Sequence, residues 1–105
     1  MILGIANSIN GVPIRLTDER WAHIVDSHPD LASYRETVLD VVENPDYILA
    51  SRRGAFAAVT VLGRKAFLHV FYVEKSRTDG FILSARVERK MVKAKIVWRK
   101  ENQEG

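Results

Sequence analysis

The chain has 105 residues, 16 Lys and Arg against 13 Asp and Glu, 47% hydrophobic residues and no cysteine. That length suits one domain with its own core, and the lack of cysteine excludes a disulfide framework, a Cys-ligated zinc site and thiol catalysis. The net charge of +3 conceals an asymmetry: residues 1–50 hold 3 basic and 8 acidic side chains (−5), and residues 51–105 hold 13 and 5 (+8).

In chain order, Asn10-Gly11 between two apolar runs is a strong hairpin signal, because both turn positions tolerate positive φ. Pro13 cannot donate to a ladder, so the second arm is expected at a sheet edge and the opening hairpin at the periphery. Thr17 reads as an N-cap, with Asp18 and Glu19 in the first turn where the helix dipole favours anions. Trp21, Ile24, Val25 and His28 share one helical face, and Pro29 ends that helix near His28. Ser33 with Glu36 fits a capping box for a second helix, whose stripe is Tyr34, Val38, Val41 and Val42 and whose stop is Asn44-Pro45.

Beyond Pro45 the period becomes two and the composition β-branched and aromatic. Strands are predicted at about 47–51, 56–62, 66–74, 81–88 and 95–99, joined by hairpin-length turns. The expected fold is therefore α+β: an N-terminal β-hairpin and two α-helices packed on an antiparallel four- to five-stranded meander. The whole chain, 1–105, reads as one domain with its core at about 11–99 and a disordered tail at 100–105. Phe81, Leu83, Ala85 and Val87 form the side expected under the helices. If Glu74 pairs with Phe81, then His69 falls opposite Arg86 and Phe71 opposite Ser84 on the open side.

Residues able to carry chemistry are few. Without cysteine, histidine is the side-chain type whose ordinary titration lies near neutrality, and His23, His28 and His69 are available. Two histidines can serve as base and acid in phosphodiester transesterification without a metal. On an ideal helix His23 and His28 project about 140° apart, but His28 stands at the fraying end. Each has a plain alternative: His28 as a C-terminal cap and His23 as a solvated side chain. His69, alone in an apolar strand, reads more readily as hydrogen-bonded packing. The five-residue spacing of His23 and His28 is not the i, i+4 pair of a helical metal site, and neither metal nor cofactor is implied.

From Ser84 to Lys100 the chain holds Arg86, Arg89, Lys90, Lys93, Lys95, Arg99 and Lys100 against one acid, Glu88. Arg grips phosphate as a planar fork and Lys as a point charge. Trp98 could stack on an unpaired base if exposed, and Ser84 could hydrogen-bond a phosphate oxygen or the attacking hydroxyl. The nucleic-acid-binding candidates are thus Arg89, Lys90, Lys93, Lys95 and Trp98. The longest uncharged stretch beyond the N-terminal segment, residues 54–63, is about half a membrane-crossing helix. Residues 1–10 show neither a basic leader nor a cleavage site, so a cytoplasmic protein without a membrane anchor is expected.

The run Ile14-Arg15-Leu16-Thr17-Asp18-Glu19-Arg20-Trp21-Ala22-His23-Ile24, followed by His28-Pro29-Asp30, resembles the opening of the phage barnase–EndoU–colicin–RelE-like nuclease domains. The likeness extends in pattern from about Gly11 to Arg99, through Asn44-Pro45 and the basic strands; Asp30 and Ser84 stand where Glu and Thr are commoner. It implies helices on a four-stranded antiparallel sheet. It also implies metal-independent cleavage of RNA to a 2′,3′-cyclic phosphate in toxin- or phage-associated modules, with His23, His28, Ser84 and Arg86 at the matching site positions. RNA, as tRNA or mRNA, is the expected partner, with an acidic antitoxin or immunity-like protein as the protein partner. The alternative is a non-catalytic nucleic-acid- or protein-binding module of the same fold.

Overall fold

A computed structural model describes residues 1–101. The described residues form an α+β fold with two helices and seven strands: β1 (Ile2–Asn7), β2 (Pro13–Thr17), α1 (Asp18–Ser27), α2 (Arg35–Glu43), β3 (Tyr47–Ala50), β4 (Phe56–Gly63), β5 (Ala66–Glu74), β6 (Gly80–Glu88) and β7 (Ile96–Arg99). Short 3₁₀ turns lie at Pro29–Leu31 and Arg52–Gly54. No helix among the described residues is long and apolar enough to cross a membrane.

Local chemistry explains the helix ends. Thr17 Oγ1 accepts the Arg20 N–H at 3.2 Å, the N-cap expected of it. His28 caps the other end, its N–H donating to the Ile24 carbonyl at 2.8 Å before Pro29 turns the chain. The second helix departs from expectation: its cap position is Tyr34, with no side-chain cap bond, so Ser33 and Glu36 do not form a capping box.

The sheet is not a four- to five-stranded antiparallel meander. It has seven strands in the order β1-β2-β6-β5-β4-β3-β7, and β2 runs parallel to β6 through Ile14–Gly80 and Arg15–Phe81. The opening hairpin lies at one end of the sheet as expected, but its edge arm is β1 rather than β2. Its second arm is an internal strand, and Pro13 is tolerated there because it is the strand's first residue. Polar side chains at the tip fasten the hairpin to β5. The buried Ser8 hydroxyl donates to Glu74 Oε2 at 2.6 Å, and Asn10 Nδ2 donates to Glu74 Oε1 at 3.1 Å. Arg15 adds an ion pair to Asp79 and lies over the Phe81 ring.

The last strand also departs from a meander, pairing with β3 at the far edge rather than with β6. Its ladder ties the chain down beyond the expected core: Lys100 N–H donates to the Asp46 carbonyl at 2.9 Å. Of the tail expected at 100–105, residues 102–105 lie outside the described residues.

Both helices cover one sheet face. Ile24, Val38, Val41 and Val42 from the helices join Ile14, Leu16, Ile48, Ala58, Leu68, Val70, Tyr72, Ile82 and Ala85 in the main core. The β5–β6 ladder starts with Glu74 opposite Gly80 rather than Phe81, and an irregularity at Leu83 takes up one residue. Such a bulge flips the alternation. Ile82, not Phe81, therefore faces the helices, while Phe71–Ser84 and His69–Arg86 still pair as expected.

The opposite face has a smaller core of Leu49, Ala57 and Val59, with Tyr47, Phe67, Phe71, Met91 and Val92 packed against it. Met91 and Val92 belong to residues 89–95, which leave β6 and cross the face to reach β7 on the far side of β5, β4 and β3. The sideways path is four strand spacings, about 19 Å, and the fall in register is about 13 Å. Eight chain steps extend to about 26–29 Å, so this strap lies close to the sheet.

Candidate functional site

The strap and the end of β3 enclose a cleft of about 590 Å³ on the face away from the helices. Arg52, Arg86 and Lys93 line it together with Ser51, Phe71, Val92 and Ala94, over a floor of Leu49 and Ala57. None of the lining residues is acidic. Each cation arrives by a different route. Arg86 follows from the β6 alternation, its guanidinium 4.6 Å from the centroid of the Phe71 ring and paired with Glu88. Lys93 rides on the strap. Arg52 comes from a three-residue turn in which Arg53 takes a left-handed conformation (φ 56°, ψ 38°) ahead of Gly54 (φ 78°), an arrangement costly for a side chain with a Cβ.

Behind the cleft wall, His69 is wholly buried. Its Nδ1 lies 3.1 Å from the Phe67 carbonyl, and its Nε2 accepts the Val92 N–H at 3.2 Å. An acceptor Nε2 and a carbonyl-facing Nδ1 specify the neutral ring protonated at Nδ1. Burial pushes its pKa below the ordinary 6.5, aided by Arg86 and opposed by the Phe67 carbonyl and Glu88. The ring stacks near Phe71 at 6.0 Å, so it serves as hydrogen-bonded packing, the plainer of its sequence readings.

The four residues expected at a catalytic centre fall in two groups. Ser84 and Arg86 occupy the cleft face, where only Arg86 lines the cleft. His23 and His28 belong to α1, in the layer over the opposite face. His23 is exposed, in a depression of about 370 Å³ formed with Thr17, Glu19 and Arg20. His28 is half-buried at the helix terminus, as a cap. The structure does not bring the two histidines to Arg86.

The expected nucleic-acid residues divide as well. Lys93 lines the cleft, while Arg89, Lys90 and Lys95 are exposed along the strap outside its lining. Trp98 pairs with Ile48 and packs on the helix-side core, so it is not a stacking surface for this cleft. Sequence reasoning missed Arg52, Ser51 and the wall role of Phe71. Arg52-Arg53-Gly54 was visible only as a connector, although it opens the basic half of the chain. Among the described residues no three His, Asp or Glu side chains gather as a metal site requires.

Comparison of the chain with protein-family models, with characterised proteins and with solved structures finds no match.

Proposed function

We propose that this chain is an RNA-binding domain of nuclease-like type that grips the phosphate backbone in the cleft between the strap and β3. The observation that carries the reading is the convergence of Arg52, Arg86 and Lys93 on one cleft with no acidic lining residue. Three cations from separate elements create a focused positive potential. Arg52 and Arg86 offer forks for phosphate oxygens, and Ser51 adds a hydroxyl. The exposed Arg89, Lys90 and Lys95 extend the positive track beyond the cleft. A small acidic protein of the antitoxin or immunity kind would complement the same face by charge.

The test is the salt dependence of binding to a labelled single-stranded RNA. Each phosphate contact on a single strand contributes about 0.7 to the slope of log affinity against log salt. Replacing Arg52 and Lys93 together by Ala should flatten the slope by about 1.4. An unchanged slope and affinity refute the cleft as the binding site.

Cleavage of the bound strand is a second reading, favoured by Ser84 and Arg86 sharing the cleft face. In it the 2′-hydroxyl gives its proton to water as its oxygen bonds to the adjacent phosphorus, and the P–O5′ bond breaks with water protonating O5′, leaving a 2′,3′-cyclic phosphate and a free 5′-hydroxyl. Arg86 would offset the charge on the phosphorane. His23 and His28 lie in the other layer and do not reach that phosphate in this arrangement. Incubation with tRNA or total RNA in EDTA decides: RNA left intact at high protein concentration restricts the activity to binding, and cleavage lost in His28→Ala restores the helix layer to the reaction.

A further inference from the structure

Polyanion sites normally tighten as pH falls, because every group that gains a proton adds positive charge. The strap gives this cleft reason to do the opposite. One end of the strap continues β6 beyond Glu88. At the other end, the Lys95 carbonyl accepts the Ala50 N–H at 2.9 Å. Between them, the middle of the strap packs Met91 and Val92 on the small core. The Val92 N–H has His69 Nε2 as its acceptor, at 3.2 Å. The next residue along the strap is Lys93, one of the three cations of the cleft.

We propose that His69 is a positioning residue for this cleft: in its neutral form it pins the strap through the Val92 amide and so holds Lys93 with Arg52 and Arg86, and on protonation it releases the strap. Its Nε2 is the acceptor of a backbone donor. Once protonated, Nε2 becomes a donor aimed at another donor, and a buried cation stands beside Arg86. Nδ1 cannot relieve the conflict, since it already faces the Phe67 carbonyl. The charged groups around the ring are Arg86 and Glu88, both of β6, and their influences oppose one another. On the β4 side its partner is the uncharged Val59, and the strap meets it through the Val92 amide. The strap yields before the sheet because it contributes no ladder of its own between residues 89 and 95. The consequence for RNA rests on the binding reading above, whereas the release itself does not.

Two measurements test the proposal separately. Oligouridylate, whose base does not titrate in acid, is bound at fixed salt from about pH 7.5 to about pH 5, the span over which an ordinary histidine titrates. The protein carries His23→Gln and His28→Gln so that His69 is its remaining histidine. Loss of the Lys93 contact should weaken binding about fivefold at about 0.1 M salt. In a triple variant with His69→Gln, whose side-chain oxygen accepts the Val92 N–H at any pH, the fall should vanish. A pH dependence equal to that of the triple variant overturns the coupling, since protonating the groups the two proteins share pushes binding upward in both.

The second measurement is hydrogen exchange of the Val92 amide in the wild-type chain, which requires neither RNA nor a variant. Its protection factor should fall about tenfold toward the acidic end and stay below that of the sheet amide of Val70 at every pH, because the strap opens before the sheet. Equal protection across the range overturns the release. If oligouridylate fails to bind at the neutral end but Val92 still loses protection, the RNA reading fails and the His69 strap stands.

Discussion

The parallel contact between β2 and β6 can be probed at one atom. Gly80 sits opposite Ile14 in that contact, and a Cβ placed on it would lie 2.5 Å from both the Val73 carbonyl oxygen and Ile14 Cδ1. An ordinary contact begins at 3.4 Å, so something must move by about 0.9 Å. Ile14 is wholly buried, and the Val73 carbonyl belongs to the β5 backbone paired with β6, so neither side yields freely. Overpacking of this kind costs about 1–3 kcal/mol, offset by about 0.4–1 kcal/mol from the smaller entropy of the unfolded Ala chain. Gly80→Ala should therefore lose about 1–2 kcal/mol and melt about 5–10 °C lower. Gly63→Ala is the matched control, because nothing lies within 4 Å of its Cβ position and its φ is not in the left-handed range. Thermal denaturation by circular dichroism reads both. Equal melting temperatures would refute the close approach of β2 and β6, and with it the parallel junction.

Further expectations concern single side chains. Thr17→Ala removes the acceptor for the Arg20 N–H and should cost about 1 kcal/mol in urea denaturation, while Thr17→Asp should keep most of the stability. Trp98→Ala should destabilise the domain by about 2–4 kcal/mol, below the cost of a fully buried Trp because this one is half-buried. It should leave the salt slope of RNA binding intact, and a lost slope would return Trp98 to the binding surface. For pH, the sign follows from His69. Its folded pKa lies below the unfolded 6.5, so the unfolded chain binds the extra proton first. Stability from this group is complete above 6.5 and is lost as pH falls from there through the depressed folded value. Urea midpoints should drop across that window and be flatter in His69→Gln. A midpoint that rises on acidification contradicts a buried neutral ring.

Local signals carried a good part of the fold. The Thr17 cap, the stop at His28-Pro29, the change of period after Pro45 and five of the seven strands could all be read from neighbouring residues. The remaining two strands form the opening hairpin, which was recognised, but with its second arm rather than its first at the sheet edge. Strand order could not be read in this way. Nothing in residues 13–17 announces that β2 pairs with a strand more than sixty residues away, because ladder bonds are backbone bonds and carry no side-chain signature. The β6 bulge was equally hidden: two register changes, at Gly80 and at Leu83, cancel by Ser84 and Arg86, so those residues lay on the expected face for a different reason.

By itself, the sequence determined the α+β class, three of the four helix ends and the acidic and basic halves, since each depends on periodicity or composition over a short span. Only the tertiary structure decided that His23 and His28 stand in the layer opposite Arg86, that Trp98 turns toward the helices, and that Arg52 and Lys93 meet Arg86 in one cleft. Those outcomes depend on which face of the sheet each element covers. A distant pairing settles that, and so does a strap short enough to be held against the face it crosses.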